Sequence, residues 1–253
     1  GIGAIDYKLV DPYVVPDAME QFFKEEIFRL PDCFLCPSIP EELDYTYGTN
    51  YRFRSGVLFG SVNRFNKITN SIIRSWSEIL NAVPDSQMLL KGRGGDNGEV
   101  GQRILKQFNA QGIKAERLIF QDRSNLGDYL KVLSEVDIVL DTFPFTGGVT
   151  TTDALWLGTP VLGRIGRDTL VSYQGESILR NANMEDWIAK NEDDYIKKAI
   201  SVASDSEQLS ALRRGEETRS IKKSPLFDIN RFAKNFECAL LEMWDRRASK
   251  DFG

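Results

Sequence analysis

The sequence predicts an α/β fold, built on a doubly wound parallel sheet with helices on both faces. Short apolar runs recur between residues 51 and 162, and stretches with apolar residues at helical spacing separate them. The runs are continuous rather than alternating, which is typical of strands buried on both sides of a parallel sheet. Five strands in this rhythm indicate a Rossmann-like domain.

The individual strands and helices follow from local signals. The predicted strands are residues 56–60, 88–90, 118–120, 138–140 and 161–162. Thr69 is a candidate N-cap for the first helix, because the apolar residues over 72–80 repeat every three to four positions. Two further helices are predicted over 100–108 and 126–133.

Different patterns precede and follow this region. Residues 5–10 alternate between apolar and polar side chains and predict a strand, whereas Pro16 starts a predicted helix that runs through Phe28. Prolines then break the chain and indicate a linker from one unit into the next. Asn191 and the acidic residues after it predict a helix start rather than a metal site. A last helix is predicted over about 229–247, with these residues on one side: Phe232, Phe236, Leu240, Met243 and Trp244.

Composition excludes several classes of protein. Of the 253 residues, 42% are hydrophobic and 27% charged, close to the globular average. No apolar run approaches the roughly 18 residues that span a bilayer, and the N-terminus, which lacks Met, shows no signal peptide and suggests a fragment. Lys and Arg number 32 against 37 Asp and Glu, and the net charge of −5 argues against a nucleic-acid binder. The chain has no histidine, which excludes Ser-His-Asp triads and His-based zinc sites within it.

Three cysteines are too few for a disulfide framework. Cys33 and Cys36 form a C-x-x-C without a second pair, and we interpret them as reduced structural residues. Reduced thiols and the missing signal peptide indicate a cytoplasmic protein. Cys238 falls in the apolar stripe of the last helix, and we expect it in the core.

Ligands of open parallel sheets bind beyond the carboxyl ends of the strands, and three loops lie there. The loop 61–67 holds two cations, Arg64 and Lys67, although alone it reads as a solvated polar loop. The loop 92–98 is rich in glycine but lacks both the G-x-G-x-x-G and the P-loop patterns, so we interpret it as a flexible loop.

The third loop, from residue 141, carries the strongest signal. Gly147 and Gly148 allow the backbone to approach a ligand closely, and Thr150, Thr151 and a third threonine then open a helix. The free N–H groups and the positive dipole end of a helix form a site for phosphate, to which threonine hydroxyls add donors. The alternative is a capping box from Thr150 to Asp153, which satisfies the helix start without a ligand.

The same loop resembles a known family. Residues 141–160, with Asp-Thr-Phe-Pro-Phe, Gly-Gly, Thr-Thr, Asp-Ala-Leu-Trp and a final Gly-Thr-Pro, are similar to the signature loop of the O-GlcNAc transferase family of GT-B glycosyltransferases. Bacterial members often carry this loop behind tetratricopeptide repeats. The similarity extends to Phe59-Gly60-Ser61, to Lys67-Ile68-Thr69 and to Ser224-Pro225-Leu226-Phe227, and it covers nearly the whole chain.

The resemblance implies the C-terminal, nucleotide-binding half of a GT-B enzyme. Residues 1–50 are then the tail of the preceding catalytic half with a linker, and residues 51–227 the UDP-sugar-binding domain. Residues 228–253 form a C-terminal helix that packs back toward the N-terminal segment. The first half, and the repeats before it, are expected partners of this chain.

The resemblance also implies roles for single residues. Lys67 contacts the diphosphate and acts as the catalytic cation. The phosphates are held by the helix start, through Gly147, Gly148, Val149, Thr150 and Thr151. Asp153 accepts hydrogen bonds from the ribose, while Ser124 and Tyr129 border the uracil. The chain departs from the family pattern in three places, with Val149 where a threonine is usual, Arg64 where a neutral amide is common, and Leu126 where a polar or basic residue is usual.

The implied activity is inverting transfer of a sugar from UDP-GlcNAc or UDP-glucose to a serine or threonine of a protein, with no metal cofactor. Related cytoplasmic enzymes glucosylate asparagine instead, and that alternative stays open. A non-catalytic UDP-binding module is the second alternative. A Rossmann-like interaction domain without a nucleotide is the third, against which Lys67 and the 147–153 loop argue. We expect this chain alone to bind nucleotide but to transfer no sugar.

Overall fold

The computed structural model describes residues 2–38, 56–216 and 218–252. The strands are β1 (Tyr7–Val10), β2 (Glu26–Arg29), β3 (Leu58–Ser61), β4 (Gln87–Lys91), β5 (Leu118–Gln121), β6 (Ile138–Leu140), β7 (Val161–Arg164) and β8 (Ile188–Ala189). The helices are α1 (Asn70–Ala82), α2 (Glu99–Ala110), α3 (Leu126–Glu135), α4 (Val149–Trp156), α5 (Leu170–Asn181), α6 (Glu192–Ser204), α7 (Ser206–Arg213), α8 (Thr218–Lys222) and α9 (Ile229–Phe252).

The main sheet confirms the predicted fold class. Six strands pair in the order β5-β4-β3-β6-β7-β8, and every pair is parallel. Helix α1 contacts α2 and α6, while α4 contacts α3 and α5, so two groups of helices cover the two faces. The strand order reverses between β3 and β6, where the chain turns back from β5. Such a switch point opens a crevice beyond the carboxyl ends of the strands.

The core explains why the central strands are continuously apolar. Phe59 on β3 and Trp76 on α1 are fully buried, and burying side chains of this size stabilises the fold by roughly 1.5–3 kcal/mol each. The Trp76 Nε1–H donates to the Tyr195 hydroxyl on α6 (3.1 Å), which donates to the Asp141 carbonyl (3.0 Å). This chain of hydrogen bonds fixes the carboxyl end of β6, where the loop of greatest interest begins.

Most predicted elements are confirmed, but two strands, β2 and β8, were not predicted. The Thr69 hydroxyl accepts from the Ile72 N–H and caps α1, and the Asn191 side chain accepts from the Asp194 N–H and caps α6. Strand β8 was not predicted, because two residues are too short to produce a recognisable apolar run.

The predicted helix from Pro16 to Phe28 is wrong. A short 3₁₀ helix covers Asp17–Phe22, and the chain then extends into β2, which pairs in parallel with β1 from Tyr7↔Glu26 to Val10↔Arg29. The apolar spacing fits both structures, and pairing with β1 decides for the strand because it buries Phe28 while leaving Phe22 70% exposed.

Helix α9 lies against the β1–β2 pair. Phe28 and Leu30 form a buried cluster with Ala239, flanked by Phe232 and Met243. Ion pairs add to the contact, from Arg231 to Asp32, from Arg246 to Glu26 and from Arg247 to Asp6. The predicted linker and the boundary near residue 50 lie largely outside the described residues, so the division into domains stays a prediction.

Two expectations about α9 are corrected. Only Phe232 and Met243 of the predicted apolar side pack against the N-terminal segment, whereas Phe236, Leu240 and Trp244 are exposed. Cys238 is exposed rather than in the core, because the packed face of the helix runs through its neighbour Ala239.

The three cysteines are free thiols, as predicted. Burial raises the pKa of the Cys33 thiol to about 12, so this side chain is an unreactive part of the core. Within the described parts of the chain, no helix has the length and apolar character needed to cross a bilayer.

Candidate functional site

The site lies at the switch point, between the loop after β3 and the loop after β6. Lys67 ends a 3₁₀ helix, Phe65–Lys67, and its ammonium donates to the Thr146 carbonyl (2.7 Å). The same ammonium stands 4.1 Å from the centre of the Phe145 ring. Burial lowers the pKa of Lys67, and the nearby Asp141 opposes this shift. The lysine is therefore fixed against the 141–148 loop with its charge at the edge of the sheet.

The Asp141 carboxylate accepts hydrogen bonds that hold this loop in place. The residue is buried at the end of β6, and its Oδ1 accepts from the N–H groups of Thr142 and Gly147 (both 2.8 Å) and from the Asn63 amide (2.9 Å). No described residue gives its Oδ2 a hydrogen-bond partner. Burial raises the pKa of Asp141 to about 6, although the three donors and Lys67 act in the opposite direction.

Asn63 links Asp141 to the start of α4. Its Oδ1 accepts from the Thr150 hydroxyl at 3.0 Å. A hydroxyl has one hydrogen to donate, so in this arrangement the Thr150 hydroxyl does not also donate to a ligand. Thr151, which was predicted to face phosphate, is buried beneath Gly147.

The predicted capping box at α4 is wrong. Gly148 is the N-cap residue, and no side chain caps the helix. Thr150 bonds to Asn63 instead, and the Asp153 Oδ2 accepts from the Tyr129 hydroxyl at 3.0 Å. The first bonds of the helix run from the N–H groups of Thr151 and Thr152 to the Gly148 carbonyl. The amides of residues 148–150 precede those bonds and are the donors that a helix start offers to an anion.

A cavity of about 540 Å³ lies beyond the carboxyl ends of β3, β4 and β5. It is lined by Val62, Arg64, Phe65, Asn66, Lys91, Gly92, Arg93, Val100, Arg123, Ser124 and Tyr129. Three of these residues, Arg64, Ser124 and Tyr129, were predicted as site residues. Arg64 is also close enough to Lys67 to lower the pKa of the lysine.

Sequence reasoning missed three other cations of the cavity, Lys91 at the end of β4 and two arginines. Arg93 belongs to the glycine-rich loop, which was interpreted only as flexible, and Arg123 follows β5. Within the described ranges neither these two arginines nor Arg64 takes part in a salt bridge. Their positions after strands of a parallel sheet were the signal that could have identified them.

Tyr129 joins the cavity to α4. Its ring lines the cavity, and its hydroxyl bonds to Asp153 on α4. Burial, followed by the adjacent carboxylate, raises the pKa of Tyr129, so the phenol stays protonated and donates a hydrogen bond to Asp153. Burial also raises the pKa of Asp153, and the bond from Tyr129 opposes that shift. The arrangement provides a cationic edge, a helix start without a side-chain cap, and a pocket lined by aromatic, apolar and cationic residues.

The sequence profile of glycosyl transferase family 41 matches residues 36–236, most of the chain. The chain belongs to glycosyl transferase family 41. This confirms the family that the loop motif indicated.

Curated relatives align with this family-41 chain over nearly its whole length. The SPINDLY protein of Solanum lycopersicum, named a probable UDP-N-acetylglucosamine–peptide N-acetylglucosaminyltransferase, is 34% identical over 252 residues, which is 99% of this chain and 27% of the relative. The SPINDLY protein of Arabidopsis thaliana is 32% identical and covers 97% of the chain and 27% of its own length. The chain thus spans about a quarter of the curated relatives it matches.

Solved structures agree with the fold. An O-GlcNAc transferase variant of Thermobaculum terrenum superposes with a TM-score of 0.87 at 26% identity, covering 99% of this chain and 47% of that structure. TarM of S. aureus gives a TM-score of 0.59 at 14% identity, over 91% of this chain and 43% of the other, which supports the fold alone. The family-41 chain therefore has the Rossmann-like fold of one half of a GT-B enzyme.

Proposed function

We propose that this chain is the nucleotide-sugar-binding half of an inverting protein O-glycosyltransferase that uses UDP-GlcNAc. The names of the SPINDLY relatives support both the donor and the peptide acceptor. The observation that carries the proposal is the pairing of Lys67 with the start of α4. The Thr146 carbonyl holds the ammonium beside a helix start that no side chain caps.

This pairing suits the chemistry of sugar transfer. Displacement at the anomeric carbon passes through an oxocarbenium-like state while the diphosphate leaves with growing negative charge. Lys67 and the amides around Gly148 and Val149 act where that charge develops, so they stabilise the transition state more than the ground state. Arg64 adds a second cation from the same loop.

The cavity, which Tyr129 links to α4, provides the rest of a nucleotide site. Tyr129 offers a ring for stacking on the base, and the backbone near Ser124 borders its edge. Asp153 accepts hydrogen bonds from the ribose hydroxyls, which is the expected role of a carboxylate placed past the phosphates. The volume of about 540 Å³ lies within the usual range of small-molecule sites.

A second half-domain completes the enzyme in this proposal. Acceptor and donor meet in the cleft between the two halves of a GT-B enzyme, and good positioning of two reactants lowers a barrier by roughly 7–11 kcal/mol. The free thiols support a reducing compartment, the cytoplasm.

Calorimetry with the 253-residue chain tests the assignment of residues. Lys67→Ala should weaken UDP binding by roughly 1.5–3 kcal/mol, the range for hydrogen bonds to charged groups, and should leave uridine binding unchanged. Asp153→Ala should weaken UDP and uridine alike, because it acts on the ribose. Lys106→Ala, on the exposed side of α2, is the matched control. Equal loss of uridine affinity in the Lys67 and Asp153 variants would refute these roles.

A transfer assay tests the division of labour. The chain is incubated with labelled UDP-GlcNAc or UDP-glucose and an acceptor lysate, and we expect at most slow hydrolysis of the donor. Incorporation into protein that Lys67→Ala abolishes would show that no second half is needed. Binding of UDP-glucose in clear preference to UDP-GlcNAc would favour the N-glycosyltransferase alternative.

A further inference from the structure

Helix α5 brings a polar side chain to the start of α4 that the proposed function does not use. The carboxamide nitrogen of Gln174 lies 2.3 Å from the point where a Cβ on Gly148 would stand. Gln174 therefore occupies the space above the Gly148 backbone. Any residue other than glycine at position 148 would displace it.

Close packing of α5 against the 141–148 loop fixes this position. The Gly175 N–H donates to the Thr146 hydroxyl at 3.0 Å. A Cβ on Gly175 would stand 2.9 Å from the Thr146 Cβ, so glycine permits this approach of helix and loop. Because the Thr146 carbonyl accepts from Lys67, Gln174 is adjacent to a contact that also orders the catalytic cation.

The Gln174 amide is available to a ligand. Within residues 2–38, 56–216 and 218–252 it has no hydrogen-bond partner, although an amide NH₂ group can donate twice. Its neighbour at the helix start, Val149, is 74% exposed and presents only an isopropyl group. At this end of α4, Gln174 is thus the side chain that can donate where Val149 cannot.

We propose that Gln174 is a nucleotide-binding residue whose amide NH₂ donates to the diphosphate of the bound nucleotide-sugar at the start of α4. The inference rests on the proposed function, because it adds a residue to the same site. Gly148 and Gln174 act as a pair, since the glycine leaves the space through which the glutamine reaches the ligand.

Calorimetric titration of the 253-residue chain with UDP and with uridine tests this role. Gln174→Leu, which keeps the size but removes the donors, should weaken UDP binding roughly ten-fold, the effect of one hydrogen bond to a charged group. Gln174→Glu should weaken it further, because a carboxylate repels phosphate. Uridine binding should stay within about two-fold in both variants. Gln107→Leu, on α2, is the control and should change neither ligand.

A double-mutant cycle tests the pairing. Gly148→Ala should weaken UDP binding in the wild-type background, where the new Cβ displaces Gln174, and should cause no further loss in a Gln174→Ala background. Additive losses would overturn the pairing. Thermal unfolding is followed for every variant, and Gln174→Glu together with the cycle decides the question if Gln174→Leu does not fold.

The outcomes separate the two proposals. Failure of the wild-type chain to bind UDP would overturn the proposed function and this inference with it. Tight UDP binding by wild type that Gln174→Leu leaves unchanged would overturn only the role of Gln174.

Discussion

Helices α1 and α4 leave the same edge of the same sheet, but they begin in opposite ways. Helix α1 is capped by its own sequence, with the Thr69 hydroxyl accepting from the Ile72 N–H. Helix α4 begins at Gly148 without a side-chain cap, although threonines surround it. Its side chains are held by other elements, Thr150 by Asn63 and Asp153 by Tyr129. The first amides of α1 are satisfied by its own sequence, whereas those of α4 have no side-chain cap because its side chains bond to other elements.

The buried carboxyl group beneath α4 gives the largest expected effect. The pKa of Asp141 rises from 3.8 to about 6 on burial, so the folded state binds this proton more tightly than the unfolded state. Its contribution to stability is complete below about pH 4 and is lost as the pH rises through about 6. Asp141→Asn stays neutral at every pH and lacks this loss. The free energy of unfolding of the variant minus that of wild type should therefore rise by roughly 2–3 kcal/mol from about pH 4 to pH 7.

Denaturant unfolding of both proteins at several pH values measures this difference. The charged group that acts on Asp141 is Lys67, and the comparison cancels the titration of carboxylates elsewhere. A difference between variant and wild type that stays constant with pH would contradict the raised pKa.

The cap of α1 gives the next effect, and it sharpens the contrast. Thr69→Ala removes a side-chain cap and should lower the free energy of unfolding by about 1 kcal/mol. UDP affinity should stay within about two-fold, because α1 does not present its amides to the site. Chemical denaturation and calorimetry on one preparation measure both quantities. A loss of UDP affinity without a loss of stability would contradict the view that the α1 cap serves stability alone.

Val149→Thr gives the smallest expected effect. The new hydroxyl at the start of α4 lies near the proposed diphosphate and should tighten UDP binding by roughly 0.5–1 kcal/mol, as one added hydrogen bond would. Uridine binding should not change. Unchanged UDP affinity would favour a purely structural role for the threonine run.

The same contrast shows how far sequence reasoning reaches. The cap of α1 was predictable, because a cap and its partner are three residues apart. The pattern from Thr150 to Asp153 looked equally good, yet both side chains bond to residues far away in sequence. No local pattern reports Asn63 or Tyr129 as competing partners, so the capping box failed where long-range contacts were available.

Other outcomes follow the same rule. The helices and the five longer strands of the main sheet were predicted well, because burial leaves a periodic pattern in the helices and continuous apolar runs in the strands. The residues from Pro16 to Phe28 were misassigned because their pairing with β1 leaves no trace in the spacing. Arg93 was passed over because a loop's place in the sheet, rather than its own composition, brings it to the cavity.

The packing of α9 on the β1–β2 pair constrains the order in which parts of the chain can fold during synthesis on the ribosome. Asp32 and its partner Arg231 are 199 residues apart, which corresponds to roughly 10–40 s of synthesis at 5–20 residues per second. Strands β3 and β4, in contrast, become available within a short stretch of chain. Throughout that delay Phe28 and Leu30 have no helix to cover them, so β1 and β2 reach their native environment later than β3 and β4, which follow them in the chain.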